Sequence, residues 1–268
     1  MSETLRTVTD FLRAFAPLDL AESWDNVGLL LGETEPPVRR AMTCLTLSPD
    51  VAAEAIAGNA DFIVSHHPVL FRPIQKLTSD SSEGPMLLSL IRHGIRVYSP
   101  HTAFDSAQLG INQQLADALD LRETAPIRPQ SSSPDNAVGS GRRGQLPRSM
   151  SFGQFLNLVR TKLKILHLQY VGDVGRPVSS VAVACGSAGE FLSDAVKAGC
   201  DVFLTGEARF HSCLEAREKN IALVLAGHYA TERPAVETLA QVLKQQFPQL
   251  QVWASEQECD PVLWSLGS

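Results

Sequence analysis

Apolar residues recur along this chain with two periods. Short runs rich in Val, Ile, Leu and Ala alternate with stretches whose apolar positions fall every three or four residues. The short runs predict strands at 41–47, 61–65, 95–99, 178–184, 201–205 and 221–226. The longer pattern predicts helices at 4–15, 49–58, 84–93, 110–119, 151–162, 188–198, 208–219 and 233–246. Leu5, Val8, Leu12 and Phe15 mark one such helical face, Pro49 and Pro234 suit helix starts, and Gly94 suits a helix end before a strand. Strands alternating with helices imply an α/β architecture.

The pattern lapses over 126–149, where Pro126, Pro129, Pro134 and Pro147 sit among Ser, Gly and Arg with little apolar content. This segment reads as a linker or surface loop, with Arg142 and Arg143 solvated. It would separate an N-terminal α/β lobe, 1–125, from a C-terminal α/β lobe, 150–268, whose last segment packs back on the first lobe. Composition adds limits. With 44% hydrophobic and 19% charged residues over 268 positions, the chain is an ordinary soluble globular protein. Its net charge of −6 disfavours a broad nucleic-acid face, though a local basic pocket would survive that argument. No apolar stretch is long enough for a bilayer, and the N-terminus lacks signal-peptide features. Cys44, Cys185, Cys200, Cys213 and Cys259 are odd in number and form no C-x-x-C pair, so they read as free thiols in a reducing, cytoplasmic compartment.

A partial internal repeat points to chemistry. In one half Gly58 leads into Asp61-Phe-Ile-Val-Ser and then His66-His67; in the other Gly199 leads into Asp201-Val-Phe-Leu-Thr and then Gly206-Glu207. The following strands end as IRVYSPHTAFD and ALVLAGHYATE. Aligned without gaps, His101 falls on His228 and Asp105 on Glu232, so both halves carry H-x-x-x-[DE] just past a strand. Of seven histidines, five (His66, His67, His101, His211 and His228) fall just after predicted strands or at the start of the next helix. That is the edge where ligands collect in open α/β sheets, and imidazole with carboxylate is the donor set for divalent zinc, manganese or iron.

Each residue alone admits a plainer reading. Adjacent side chains on a strand point to opposite faces, so His66 and His67 share an ion only where the chain turns, as Pro68 allows. They also fit a surface pair, or two ions a few ångströms apart. Asp105 also fits an N-cap of the helix near 110, and Glu232 a first-turn acid. His101 reads as a ligand or as a hydrogen-bond partner of one; Glu207 and His211 read as supporting or substrate-facing groups. Cys185-Gly186-Ser187-Ala188-Gly189 fits a phosphate cradle less well than an ordinary strand-to-helix turn.

Taken together, WDNVGLLLG at 24–32, SHHP at 65–68, HTAFD at 101–105 with GIN after it, LTGEARFH at 204–211 and GHYATERP at 227–234 resemble the Nif-three-like family. Its bacterial members are often labelled GTP cyclohydrolase 1 type 2. The resemblance spans nearly the whole chain and implies two related α/β lobes facing each other across a dinuclear metal cleft. It implies two divalent ions per chain (zinc, iron or manganese) on His66, His67, Asp105, His228 and Glu232, with Glu232 as the bridge. It further implies a toroidal homo-oligomer, usually a hexamer. The activity expected is metal-assisted hydrolysis of a small molecule, a nucleotide among the candidates, by ring opening or phosphoester cleavage. A non-catalytic metal-binding or protein-interaction role is the alternative. One departure stands out: where the family carries an aspartate-valine-threonine stretch after a strand, this chain reads Leu45-Thr46-Leu47-Ser48.

Overall fold

In the computed structural model, which describes residues 3–130 and 138–265, all six predicted strands form close to their expected bounds. They are Arg40–Cys44, Phe62–Ser65, Arg96–Ser99, Pro177–Ala184, Val202–Thr205 and Ala222–Leu225. The chain divides into two units. The first runs to Phe104 and takes in Arg233–Cys259; the second comprises Asp105–Glu232 and the residues from Asp260 onward. Two of the three crossings fall inside helices, His101–Ser106 and His228–Gln246; the third lies between Cys259 and Asp260.

The first unit is built on a five-stranded sheet. Gln251–Ala254, Arg40–Cys44, Phe62–Ser65 and Arg96–Ser99 run parallel, and Gly28–Leu31 closes the edge antiparallel to Arg96–Ser99. The three central strands are buried along their length apart from Arg40, which explains why they read as continuous apolar runs rather than alternating ones. Helix Pro49–Ala57 starts where predicted, with the Ser48 hydroxyl accepting from the Val51 N–H and Pro49 in the first turn, where its missing N–H costs nothing. Val51, Ala52 and Ala55 of that helix pack with Met42, Ile63, Leu90 and Val97 in one core.

The second unit has a six-stranded sheet. Its centre, Pro177–Ala184, Val202–Thr205 and Ala222–Leu225, is parallel; Gln169–Val171 and Arg142–Ser151 flank it antiparallel, and Arg122–Ala125 lies beyond. Helix Phe152–Leu163 opens with a reciprocal cap between Ser151 and Gln154. The core gathers Ala182, Ala184, Leu192, Phe203, Ala216 and Leu223.

The internal repeat appears in the fold. Each unit runs parallel strand, helix, parallel strand, then a helix whose first residue is histidine. Asp61 and Asp201 play one part in it: each carboxylate accepts two successive backbone N–H groups from the neighbouring strand segment, Arg39 and Arg40 in the first unit, Ser179 and Ser180 in the second.

Three expectations need correction. The described part of the supposed linker 126–149 is largely strand, because Arg142–Ser151 alternates buried and exposed residues over its first half and pairs on both sides; residues 131–137 lie outside the described residues. Arg142 is 1% exposed rather than solvated. Its guanidinium donates to the carbonyls of Ala107, Gly139 and Gly141 and to Gln113, which pays for its burial. The last long helix begins at His228 rather than at 233, with Pro234 inside it. Its second part and strand Gln251–Ala254 therefore belong to the first unit, whereas the residues from Asp260 onward group with the second.

Candidate metal centre

In the first unit the histidine pair follows strand Phe62–Ser65 at the carboxyl edge of the parallel sheet. The ladder continues past the strand, with His66 N–H donating to the Cys44 carbonyl and His67 N–H to that of Leu45. Hydroxyls hold the carbonyl sides: Ser99 donates to His66 and Ser65 to His67. The chain bends here, and the two rings lie with centroids 5.1 Å apart instead of on opposite faces. His67 Nδ1 meets the Thr46 hydroxyl at 2.7 Å, so the segment that departs from the family stretch still supplies a partner to this ring.

His101 opens helix His101–Ser106 in the left-handed region, φ 30°, a costly backbone for a residue with a side chain. Asp25, whose side chain is fully buried, holds it there. One carboxylate oxygen lies 2.7 Å from His101 Nδ1, and the other accepts from the N–H and hydroxyl of Thr102. Burial works against the Asp25 charge, but the hydrogen bonds from His101 and Thr102 outweigh it and bring its pKa down to about 2. One ring nitrogen each from His66, His67 and His101 lies within 4.8 Å of the others. Trp24 and Phe71, both exposed, stand edge-on to His101 with centroids 6.2 Å away.

In the second unit the equivalent helix begins with His228, after strand Ala222–Leu225 and Gly227 (φ 99°). Here the histidine lies between acids: Nδ1 is 2.9 Å from Glu207 Oε1 and Nε2 is 3.0 Å from Glu232 Oε2, one turn on. The Glu232 hydrogen bond raises the His228 pKa most, against burial and with help from Glu207, to about 9. Asp105 lies within its helix and does not cap the next one, whose N-cap is Gly110. Its Oδ1 accepts from the Cys185 thiol at 3.2 Å, and Asn112 ties the pair together by donating to the Asp105 carbonyl and accepting from Cys185 N–H. Burial first, then the negative charges of Asp105 and Glu232, push the Cys185 thiol well above its ordinary pKa.

Gly186 explains the glycine after Cys185. Its φ is 62°, and a Cβ there would overlap Glu232 Oε1 and come within 3.2 Å of His228 Nε2. The phosphate-cradle reading loses three of its five donors, because the N–H groups of Cys185, Gly186 and Ala188 already serve Asn112, Thr231 and Thr205. His211 is exposed on helix Phe210–Glu218, with its ring against Phe210, and takes no part in this group.

The donors fit divalent ions. They are imidazole nitrogens and carboxylate oxygens, three of the imidazoles have a hydrogen-bonded Nδ1 behind them, and a backbone hollow at Gly186 leaves room beside Glu232 and His228. Sequence reasoning missed Asp25, Thr46, Cys185 and Asn112, which position the others. Asp25 lay in plain view in WDNVG, a segment used only for the family resemblance.

Comparison with known proteins gives the family and the fold. A model of the Duf34/NIF3 (NGG1p interacting factor 3) family matches residues 3–261. A Clostridium acetobutylicum protein named GTP cyclohydrolase 1 type 2 homolog is 35% identical over 244 residues, 91% of each chain. A crystal structure of a Staphylococcus aureus hypothetical protein aligns with TM-score 0.90 at 26% identity, covering 99% of this chain and 100% of its own. A Bacillus cereus protein described as related to NIF3 shares the fold, with TM-score 0.90 at 21% identity over 99% of this chain and 100% of its own. By this match along nearly its whole length, the chain belongs to the Duf34/NIF3 family.

Proposed function

We propose that this protein is a dinuclear metal-dependent hydrolase whose two divalent ions are held by His66, His67, Asp105, His228 and Glu232. The observation that carries the reading is the pairing of metal-type donors with dedicated partners. Thr46 backs His67, Glu207 backs His228 and the Cys185 thiol backs Asp105, all beside the carboxyl ends of parallel strands. Surface histidines have no need of such support. A pair of divalent ions in a site of this composition polarises an electrophile and lowers the pKa of water. The protein's own contribution is to orient the donors. Thr46 fixes which nitrogen His67 offers, and Cys185 fixes how Asp105 turns its carboxylate. Glu207 competes for the His228 proton.

The name of the Clostridium relative supports GTP as the first substrate to try, with ring opening as the reaction; phosphoester hydrolysis suits the same donors. The reading includes self-association, with a toroidal homohexamer as the assembly to test. Metal content, followed by turnover of GTP and simple phosphoesters by wild type and a His66→Ala, Glu232→Ala double variant, tests it. Metal-dependent turnover absent from the variant is expected; tightly held metal with no turnover of any of them would favour the second reading. That reading, a metal-binding protein whose work is to bind other proteins, draws on the interaction in the family's own description.

A further inference from the structure

Residues 68–83, between the histidine pair and helix Gly84–Arg92, form neither helix nor strand. Loops of this length inside a compact unit are uncommon, and the functional ones are lids and binding loops. This one exposes Phe71 and Ile74, each 46% accessible, and Trp24 on a second loop is 60% accessible. Large apolar side chains scattered singly over a surface need no explanation, but these are grouped.

Trp24 and Phe71 have ring centroids 5.9 Å apart at 70°, and each lies 6.2 Å from the His101 ring, at 76° and 90°. The three rings stand steeply to one another and enclose a corner. In a T-shaped contact one ring meets the other by its edge, so broad faces remain for a further ring. The corner is built from specific bonds. Asn26 Nδ2 donates to the Leu70 carbonyl at 2.6 Å, which ties the loop of Trp24 to that of Phe71. Asp25 ties the same loop to His101 and Thr102, and Glu22 N–H adds a bond to the Thr102 hydroxyl. All of these residues belong to the first unit. The bonds hold exposed rings in place before any ligand arrives, which lowers the cost of binding one.

We propose that Trp24 and Phe71 form a stacking subsite for the purine base of a nucleotide, beside the histidines of the candidate metal centre. The inference rests on the hydrolase reading above and names its substrate class. The three exposed side chains fall far below the about 20–30 residues a side that a stable protein interface uses, but they match one planar ring. A stacked base would have its centroid about 4.5–7 Å from that of Trp24, the range in which His101 also stands. A ring in the corner thus sits against His101 as well, so the base rather than the phosphates lies next to the histidines. Arg72 and Lys76, exposed on the same loop, offer cations to the phosphates in a chain of net charge −6.

The test measures binding and needs no turnover. Full-length protein, loaded with zinc and with its metal content determined, is dialysed to equilibrium in the cold against GTP or inorganic triphosphate. Triphosphate keeps the charge and lacks the base, and each ligand is assayed as unconverted material. Wild type should hold GTP more tightly than triphosphate. Trp24→Ala should weaken GTP about 5- to 150-fold, the cost of losing one base-stacking side chain, and leave triphosphate within about twofold. Phe71→Ala should lose less in the same direction, and Trp24→Phe should recover most of the GTP affinity because it keeps a ring face. Zinc content should match wild type in all of these variants. Equal affinity of wild type for the two ligands, a Trp24→Ala loss that triphosphate shares, or GTP affinity within about twofold of wild type in Trp24→Ala would overturn the proposal. The metal centre fails separately. A wild type that takes up no zinc sinks the hydrolase reading, and the subsite is then judged from the same two ligands on metal-free protein. A zinc-loaded wild type indifferent to the base leaves the metal centre standing and removes the subsite.

Discussion

The two units solve one local problem with opposite chemistry. Each sets a histidine at the first position of a helix that follows a parallel strand, and each backs its Nδ1 with a carboxylate. In the first unit the surroundings are imidazoles, His66 and His67, and the backing acid Asp25 is buried. In the second they are acids: His228 lies between Glu207 and Glu232, and Glu207 is largely exposed. The entry of each helix differs as well. The first spends backbone strain on His101 itself, whereas the second puts the positive φ on Gly227, one residue earlier. The difference teaches that the repeat preserves a donor's place in the fold while leaving its electrostatic setting free. One half offers imidazole donors, with Asp25 behind His101; the other sets carboxylates around His228 and raises its pKa to about 9.

Removing a donor should break the comparison most. Glu232→Ala takes the carboxylate from beside His228, and metal binding measured by chelator competition should fall further than the roughly 10- to 100-fold cost of losing a supporting partner. A loss confined to that range would demote Glu232 from ligand to support.

A smaller effect separates crowding from backbone cost. Gly186→Ala puts a Cβ at φ 62° against Glu232, whereas Gly94→Ala does so at φ 65° with nothing within 4 Å. Both should lose about 1–2 kcal/mol in denaturant melts for the left-handed backbone. Only Gly186→Ala should also weaken metal binding, and equal metal affinity in the two would show that the hollow beside Glu232 is incidental.

Weaker still should be the thiol behind Asp105. Cys185→Ser keeps a donor and should match wild type, while Cys185→Ala should lose up to about tenfold in metal affinity. Because burial raises its pKa, Cys185 should also resist alkylation at pH 8 in the native protein, unlike the exposed Cys259; rapid labelling of Cys185 would contradict that environment.

The smallest effect concerns the repeat's structural half. Burial opposes the charge on Asp201, but hydrogen bonds from Ser180 and Ser179 prevail and hold its pKa below the ordinary 3.8. The folded value is the depressed one, so its stabilisation is complete above pH 3.8 and fades as pH falls below that. Asp201→Asn should flatten this acid limb of the stability curve; an unaltered limb would mean the bonds contribute nothing to folding.

Much of this was legible in sequence for physical reasons. Strands buried on both faces read as unbroken apolar runs, so the parallel centres of both sheets stood out. The gapless match of IRVYSPHTAFD to ALVLAGHYATE reflects two equivalent helix starts. What stayed hidden depends on tertiary pairing. Arg142–Ser151 is rich in Arg and Ser, and only its partners on either side make it a strand. Its buried Arg142 is satisfied by carbonyls that no local pattern reveals. The partners of the site residues come from distant segments: Asp25 lies 76 residues before His101, and Cys185 lies 80 after Asp105. Helix His228–Gln246 crosses from one unit to the other, which its own periodicity does not announce.

The most direct test is elemental analysis of the purified protein beside the His66→Ala, Glu232→Ala double variant. The account predicts about two divalent ions per chain in wild type, as in a two-metal hydrolase, and a near-complete loss in the variant. A wild type that arrives without metal and cannot be loaded with zinc, manganese or iron would contradict it, and would leave partner binding as the better explanation of this fold.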